Sequence, residues 1–451
     1  MRIIDDGKKA VAELWGYDCD ESADYRLIRY HVFKHCDKGL LLLNTVTGTL
    51  VLLDENEECL LNRLPCAYSN DMVPLIKARL LVPVEFDDAR SVEQLRKICK
   101  KVFNDSSIRG YSILPTSACN ARCFYCYESN VPHRTMTPEI ADKTISYIIE
   151  HCGSKKQVGL NWFGGEPTLG EAIIDQICDG LLKKGIQFRS SMISNGYLFT
   201  KDMVQKAKTK WNLKNIQITL DGTEKIYNQT KAYIYKEGSP YKRVLNNIHL
   251  LLDHDVRVSV RMNLGFHNAH DLETLVDELT TLFSGKHNFY AYVHELFEDS
   301  GFEPVHHSES ERRELVKLKL LLNERIRAGG CNNGGIFRRK NQLPSLKLSF
   351  CMATDPSSIQ INPLGQFAKC DHQVFTKNIG NLDQGHDFSS EEAKFWLNAE
   401  YRDSCKVCPL FPCCGQITVC KASVPCLEDE IIQNLIDTRE QMQCIYKTKQ
   451  I

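Results

Sequence analysis

Three cysteines on one short loop carry the clearest chemistry in this 451-residue chain. Cys119, Cys123 and Cys126 stand in TSACNARCFYCYE (116–128), a Cys-x3-Cys-x2-Cys array directly after a strand-like run, Tyr111 to Pro115. Three thiolates so close can hold one metal cluster and leave one coordination position open. A 4Fe–4S cluster that only carries electrons takes four cysteines. With three, one iron is free to bind something reactive. A zinc knuckle is the alternative, but zinc favours paired Cys-x2-Cys hooks with a distant second pair.

This spacing, with the aromatic Tyr125 just before the third cysteine, resembles the radical S-adenosylmethionine (SAM) enzymes. The resemblance implies that the open iron binds the amino and carboxylate groups of SAM. One electron from the cluster then splits SAM into methionine and a 5′-deoxyadenosyl radical, which removes a hydrogen atom from the substrate. The protein's task is to position the target and keep water and oxygen away.

Other motifs extend the resemblance. Gly164, Gly165, Glu166 and Pro167 match the family's GGEP motif, in which glycines allow close backbone approach and the carboxylate accepts from the SAM ammonium. Ser194 and Asn195 stand where relatives contact the ribose or carboxylate of SAM. Arg261 stands where many reach the carboxylate, although alternation in VSVRMN leaves its direction open. Asp221, in TLDGT, aligns with an aspartate that accepts a proton from the substrate in some peptide-modifying relatives. A turn aspartate before glycine reads the same way. Lys231 lies in the stretch where the family usually carries an arginine.

The elements that position these groups follow from periodicity. From Tyr111 to about Glu295 strand-like and helix-like segments alternate, the pattern of a parallel sheet covered by helices. The strands are YSILP, VGLNWF (158–163), FRSSMIS (188–194), IQITL (216–220), VRVSVRM (256–262) and FYAYV (289–293). The helices include Pro138–His151, Glu171–Lys184, Lys201–Thr209 and Tyr241–His254. The polar and glycine signals recur just beyond the C-terminal strand ends, the edge where barrel and open α/β enzymes place their chemistry. Six β/α units suit the partial TIM-like barrel the resemblance implies, so the expected fold class is α/β with a smaller module at each end.

The N-terminal module, 1–105, holds three strands (RYHVFKH, GLLLLNTV, TLVLLD) and helices from near Asp54, over SNDMVPLIKARL and over Ser91–Phe103. It resembles the RiPP recognition element, a winged-helix-like domain to whose sheet edge a leader peptide adds a strand. The barrel is expected over 106–300, and a bridging helix (Ser308–Ala328) and loop over 301–350. A cysteine-rich domain is expected over 351–451, ending in a helix at Leu427–Met442.

The cysteine-rich end resembles the SPASM extension of radical SAM enzymes that act on ribosomal peptides. Carried over by position, Cys351, Cys370 and Cys420 hold one auxiliary 4Fe–4S cluster, and Cys405, Cys408, Cys414 and Cys426 hold a second. The register departs from the family where Thr418 stands, and the extra Cys413 makes it ambiguous. The first cluster thus keeps an open iron or takes Cys331 or Cys413. A zinc ribbon at Cys405–Cys408 is the alternative.

Composition narrows the class. A net charge of −1 gives no footprint for nucleic acid or an acidic membrane surface. No apolar run approaches the ~20 residues of a bilayer span, and no signal peptide is read at the N-terminus. Twenty cysteines in a long chain without an export signal read as thiols of a reducing, cytoplasmic compartment. The expected activity is that of a radical SAM maturase forming a thioether in a ribosomally made precursor peptide. Its cofactors are SAM and three 4Fe–4S clusters, and flavodoxin or ferredoxin serves as reductant. Rival readings are a carbon–carbon or ether cross-linking maturase, a sulfatase maturase, and an iron–sulfur electron carrier.

Overall fold

The computed structural model describes residues 1–16, 19–235, 237–296, 307–333, 342–420 and 424–449. Its contacts divide the chain into two units. The first joins Met1–Asn104 to Arg338–Cys351 and Glu400–Ile451; the second joins Asp105–Phe337 to Met352–Ala399. Residues 351–451, read in the sequence as one domain, therefore contribute to both.

In the first unit the elements run β1 (Arg2–Asp5), α1 (Lys9–Leu14), β2 (Asp24–Leu27), β3 (His31–Cys36), β4 (Gly39–Asn44), β5 (Leu50–Leu53) and α2 (Glu55–Leu61). Then come β6 (Cys66–Ala67), α3 (Val73–Lys77), β7 (Leu81–Pro83) and α4 (Asp88–Phe103). An antiparallel sheet is ordered β1-β5-β4-β3, and a small second sheet β6-β2-β7. The three expected strands are β3, β4 and β5, and the chain's first residues add a fourth beside β5.

The runs LLLL and LVLL are apolar on both faces because both faces are covered. Leu40, Leu42, Val51 and Leu53 pack with Leu60, Leu75 and Ile76 from the α2–α3 side. Leu41, Leu43, Leu50 and Leu52 pack with Met442, Ile445 and Tyr446 of the C-terminal helix, Glu428–Thr448. That helix is six residues longer than expected at its end and belongs to this sheet. A capping box starts α2: Asp54 accepts from the Asn56 and Glu57 N–H groups, and Glu57 accepts from the Asp54 N–H. SNDMVPLIKARL is not one helix. A 3-10 turn at Asn70–Met72 leads into the short α3, and the chain turns out of it at Arg79, φ +61°.

In the second unit the elements run β8 (Gly110–Thr116), α5 (Pro138–His151), β9 (Gln157–Gly164), α6 (Glu171–Lys183), β10 (Gln187–Ser194), α7 (Lys201–Thr209) and β11 (Leu213–Thr219). They continue as α8 (Glu224–Lys231), α9 (Pro240–Asp253), β12 (Arg257–Leu264), α10 (Ala269–Phe283), β13 (Phe289–Glu295) and α11 (Glu309–Ala328), followed by β14 (Asn332–Asn333), β15 (Ser358–Ile361), β16 (Phe367–Ala368) and α12 (Glu391–Leu397). β8 to β13 lie side by side in chain order, all parallel, and form the partial (β/α)6 barrel. β15 adds in parallel to β8 with Ser358 opposite Gly110, which ties residues 352–399 to the barrel.

The barrel strands have two unlike faces. Val258, Val260 and Met262 join Ile174, Leu251 and Leu275 of the helices in one apolar core. On the opposite face Asn161 donates to Ser112, Ser191 to Asn161, Tyr292 to Gln217 and Arg261 to Asn263. A barrel lined this way offers polar groups to a ligand at its mouth.

Candidate active site at the barrel mouth

The cysteine loop leaves β8 and is held by backbone contacts on three sides. Ser117 N–H donates to the Arg134 carbonyl, Arg122 N–H to that of Lys231 and Ile234 N–H to that of Asn120. The fourth anchor explains the two glycines after β9. A Cβ on Gly164 would stand 2.3 Å from the Thr116 carbonyl oxygen, and one on Gly165 2.4 Å from that of Ala118. The close approach they permit is to the cysteine loop itself, before any ligand is considered.

Glu166 is fully buried and ties the end of β9 to that of β10. One carboxylate oxygen, Oε1, accepts from the Thr168 N–H (3.1 Å), the Thr168 hydroxyl and the Ser194 hydroxyl (2.8 Å); Oε2 accepts from the Asn195 N–H (2.7 Å). Burial pushes the carboxyl up, and these donors oppose the shift. Four donors thus fall on the roughly four acceptor positions of a carboxylate, three of them on Oε1. Pro167 is buried and opens the 3-10 turn Pro167–Gly170. Asn195 reaches the loop directly, donating from Nδ2 to Asn120 Oδ1 (2.6 Å) and more weakly to Cys119 Sγ (4.0 Å).

Cys119, Cys123 and Cys126 are half-buried and within electrostatic reach of one another. Burial pushes Cys119 up to about 12 and Cys126 to about 11, and raises Cys123 against the pull of Lys231. Such thiols are protonated near neutral pH, so loading a metal cluster displaces protons. The surroundings fit a 4Fe–4S cluster with a ligand on its open iron. Asn120 is buried with a side-chain N–H that has no partner, and the Ala121 N–H points at Cys119 Sγ (3.4 Å). Sulfur-directed N–H groups of this kind tune cluster potentials.

Asp221 lies just beyond the end of β11 but does not open to solvent. It is fully buried, in an ion pair with Lys231 Nζ at 2.8 Å. Its Oδ1 accepts from the Asn263 N–H (2.9 Å), and the Tyr125 hydroxyl donates to its Oδ2. Burial alone would raise the carboxyl; the Lys231 charge and these donors hold it below the usual carboxylate range. Burial would likewise lower the ammonium, and Asp221 with the Cys123 thiol raises it well above the ordinary lysine value. Lys231 also donates to the Tyr125 hydroxyl and to Thr219 Oγ1, both at 2.6 Å. Tyr125 thus spends its hydroxyl inward, and Asp221 faces a lysine where the sequence reading aimed it at substrate.

Arg261 points to the polar face: its Nε donates to Asn263 (2.8 Å), and it bonds the Tyr292 hydroxyl. Beyond Cys126, Tyr127 stacks on His372 with ring centroids 4.0 Å apart and lies within electrostatic reach of both Cys126 and Cys370.

The C-terminal cysteines divide. Cys426 is within electrostatic reach of Cys414, Cys405 and Cys408, the other three residues expected as ligands of a second auxiliary cluster. Cys351 and Cys420 belong to the first unit and Cys370 to the second. Cys331 is a core group: it is buried among the apolar residues of the barrel and donates weakly to the Leu279 carbonyl (3.9 Å), so it is no loop ligand. Among the described residues no group of three or more His, Cys, Asp or Glu side chains is arranged to hold a single metal ion.

Comparison with known proteins places the class. Residues 113–279 match the model of the Radical SAM superfamily, so the chain carries a radical SAM enzyme domain, to which SAM and a 4Fe–4S cluster belong. A curated relative, the S-adenosylmethionine-dependent nucleotide dehydratase of Thermoplasmatales archaeon (strain ISO4-H5), is 36% identical over 88 residues. That match covers 20% of this chain and 29% of the relative, so the chain spans under a third of the curated protein it resembles.

Solved structures match more of the length. Native anSMEcpe with bound AdoMet superposes with a TM-score of 0.56 at 15% identity, over 75% of this chain and 99% of that one. The same protein with AdoMet and the Cp18Cys peptide gives 0.53 at 16% identity, over 76% and 98%. Streptococcus suis SuiB bound to S-adenosylmethionine gives 0.51 at 16%, over 87% and 95%. At such identities the likeness is one of fold. No helix among the described residues is long and apolar enough to cross a membrane.

Proposed function

We propose that this chain is a radical SAM maturase that joins a cysteine sulfur to a carbon within a ribosomally made precursor peptide. The observation that carries the reading is the loop of Cys119, Cys123 and Cys126 at the barrel mouth, with the Asn120 side-chain N–H free and Glu166 holding Asn195 beside the loop. When bound there, a 4Fe–4S cluster and SAM supply the one-electron chemistry that takes a hydrogen atom from a peptide carbon. Glu166 and Asn195 orient the amino-acid end of SAM, and Arg261 offers its guanidinium to the carboxylate. Lys231, Asp221 and Tyr125 hold the loop in place from below. In net terms the peptide loses one hydrogen atom from carbon, the proton of its thiol and one electron. The electron's acceptor is an auxiliary cluster at the C-terminal cysteines. A peptide substrate is supported by the structural neighbour that binds both AdoMet and a peptide.

The leader peptide adds to the edge strand β3. The two-residue turn Asp37-Lys38 closes on the pair Cys36 and Gly39, so Cys36, Lys34 and Val32 bond inward to β4. His31, Phe33 and His35 turn their backbone groups outward. Phe33 is exposed, and Arg439 already donates to its carbonyl at 3.1 Å, as an added strand would. Phe33→Pro removes an outward N–H without touching the ladder. We expect it to weaken precursor binding about tenfold or more, since strand addition rests on main-chain bonds, while SAM cleavage without peptide persists. Unchanged affinity would remove leader binding from this edge.

Reconstituted protein given SAM, a reductant and a small cysteine-containing peptide encoded beside its gene should release 5′-deoxyadenosine. The peptide should return lighter by two hydrogens in mass spectrometry. A chain that releases no 5′-deoxyadenosine is a carrier and the proposal fails. Peptide that loses two hydrogens yet keeps a free, alkylatable thiol points to a carbon–carbon or ether cross-link.

A further inference from the structure

Helix α4 buries a charge that the activity described above does not use. Val92, Leu95 and Cys99 form its apolar stripe, and Arg96 stands within that stripe, 3% exposed. Its guanidinium lies flat against two rings, 3.9 Å from the centroid of Tyr401 and 4.7 Å from that of Phe411. It donates to three carbonyls, those of Lys347 (3.3 Å), Phe411 (2.8 Å) and Pro412 (2.9 Å), and Nη1 has no partner at all. Of the two acids on its own helix, Glu93 is taken by Lys406 at 3.0 Å and Asp88 by Arg26 at 2.6 Å. A buried guanidinium without a paired carboxylate is costly to fold around unless an anion completes it.

Besides Glu93, the groups around it are thiols and further cations. Cys413 and Cys414 lie within electrostatic reach of Arg96. Cys414 is within reach of Cys405, Cys408 and Cys426. Lys347 and Lys8 also face Cys413. Cys413 itself turns away, its Sγ donating to the Leu410 carbonyl at 3.1 Å, so it is a core thiol beside the quartet rather than a member of it. The pocket as it stands is short of negative charge. Four thiolates around a 4Fe–4S core carry a net negative charge in either oxidation state and gain one more on reduction.

We propose that Arg96 is the counter-charge of the auxiliary cluster held by Cys405, Cys408, Cys414 and Cys426, and that it raises that cluster's reduction potential. Tyr401 and Phe411 fix the guanidinium plane, so the charge is placed before the cluster arrives. A cluster made easier to reduce is suited to receive the electron that leaves the peptide. Arg96 acts here through the cluster and is a positioning residue. The inference rests on the assignment of the second auxiliary cluster made above.

The test uses the full chain with Cys119, Cys123 and Cys126 changed to alanine, reconstituted and titrated with reductant by electron paramagnetic resonance. The signal that disappears on adding Cys408→Ala belongs to this cluster. In Arg96→Met the ratio of reduced to oxidised cluster at a fixed potential should fall about tenfold, which for one electron is about 59 mV. In Arg96→Lys it should stay within about threefold of the parent, because the charge remains. If Arg96→Met loses this cluster's iron while Arg96→Lys keeps it, the charge is again what matters. An unmoved potential in Arg96→Met, or equal losses in both variants, overturns the proposal. A parent chain without any signal sensitive to Cys408→Ala overturns the cluster assignment itself, a different failure.

Discussion

Alanine at Cys119, Cys123 and Cys126 together should abolish release of 5′-deoxyadenosine from SAM. The three thiols share one loop and approach one another, while the other clustered cysteines follow Cys351 in the chain. If all three clusters assemble in the parent, iron should fall from about a dozen to about eight atoms per chain. Iron analysis and chromatography of the SAM products check both numbers. The loop is anchored by backbone bonds and by the Gly164–Gly165 contact rather than by sulfur, so the triple variant should fold. Surviving cleavage would move the site elsewhere in the chain; loss of all the iron would mean that the clusters assemble as one unit.

Lys231→Met should be the most destabilising single change in the barrel. It removes the cation from a pair in which both partners are buried, 3% and 0% exposed by side chain, and leaves Asp221 with only neutral donors, the Tyr125 hydroxyl and the Asn263 N–H. Breaking one side of such a pair costs about 3–5 kcal/mol, because a charge is left without compensation. Urea unfolding of the iron-free chain reads this directly. The double change Asp221→Asn and Lys231→Met should recover most of the loss, since a neutral amide still accepts from the Asn263 N–H and matches the tyrosine.

The pH dependence has a definite sign. Asp221 titrates below its ordinary value of 3.8 when folded, so its contribution is complete above that value and is lost as pH falls through the depressed one. Lys231 titrates above its ordinary 10.5, so its contribution is complete below that value and is lost as pH rises through the raised one. The gap between parent and double variant should therefore be flat from about pH 5 to 10. A gap that opens or closes inside that window would mean that the pair is not ionised as drawn. Tyr125 adjoins two of the cysteines, so loop geometry should suffer with stability, and SAM cleavage in Lys231→Met should fall even where the chain is folded.

Much of the barrel was legible because its signals are local. Each of the six strands was found within three residues of its ends, since apolar alternation and the glycine or polar residue at each strand end belong to one short window. Helix starts were legible for the same reason: Thr137, Thr200 and Ser308 cap the helices that follow them. The helix after Ser69 failed because Pro74 and the left-handed Arg79 confine it to five residues. Strand β1 is four residues long, and only its pairing with β5 makes it a strand.

The chemistry-bearing residues divide along the same line. The cysteine array and GGEP each span only a few positions, so side-chain types and their order were enough to point to an iron–sulfur cluster and SAM. Asp221 was visible as a residue, but its partner Lys231 and the inward turn of Tyr125 come from separate elements, and a partner decides whether a carboxylate is a base or half of an ion pair. Arg96 left one signal, an arginine in an apolar stripe, and its meaning needed Tyr401, Phe411 and the quartet from the other end of the chain. Tertiary structure alone decided these, because burial and charge pairing depend on distances in space, which separation along a sequence does not contain.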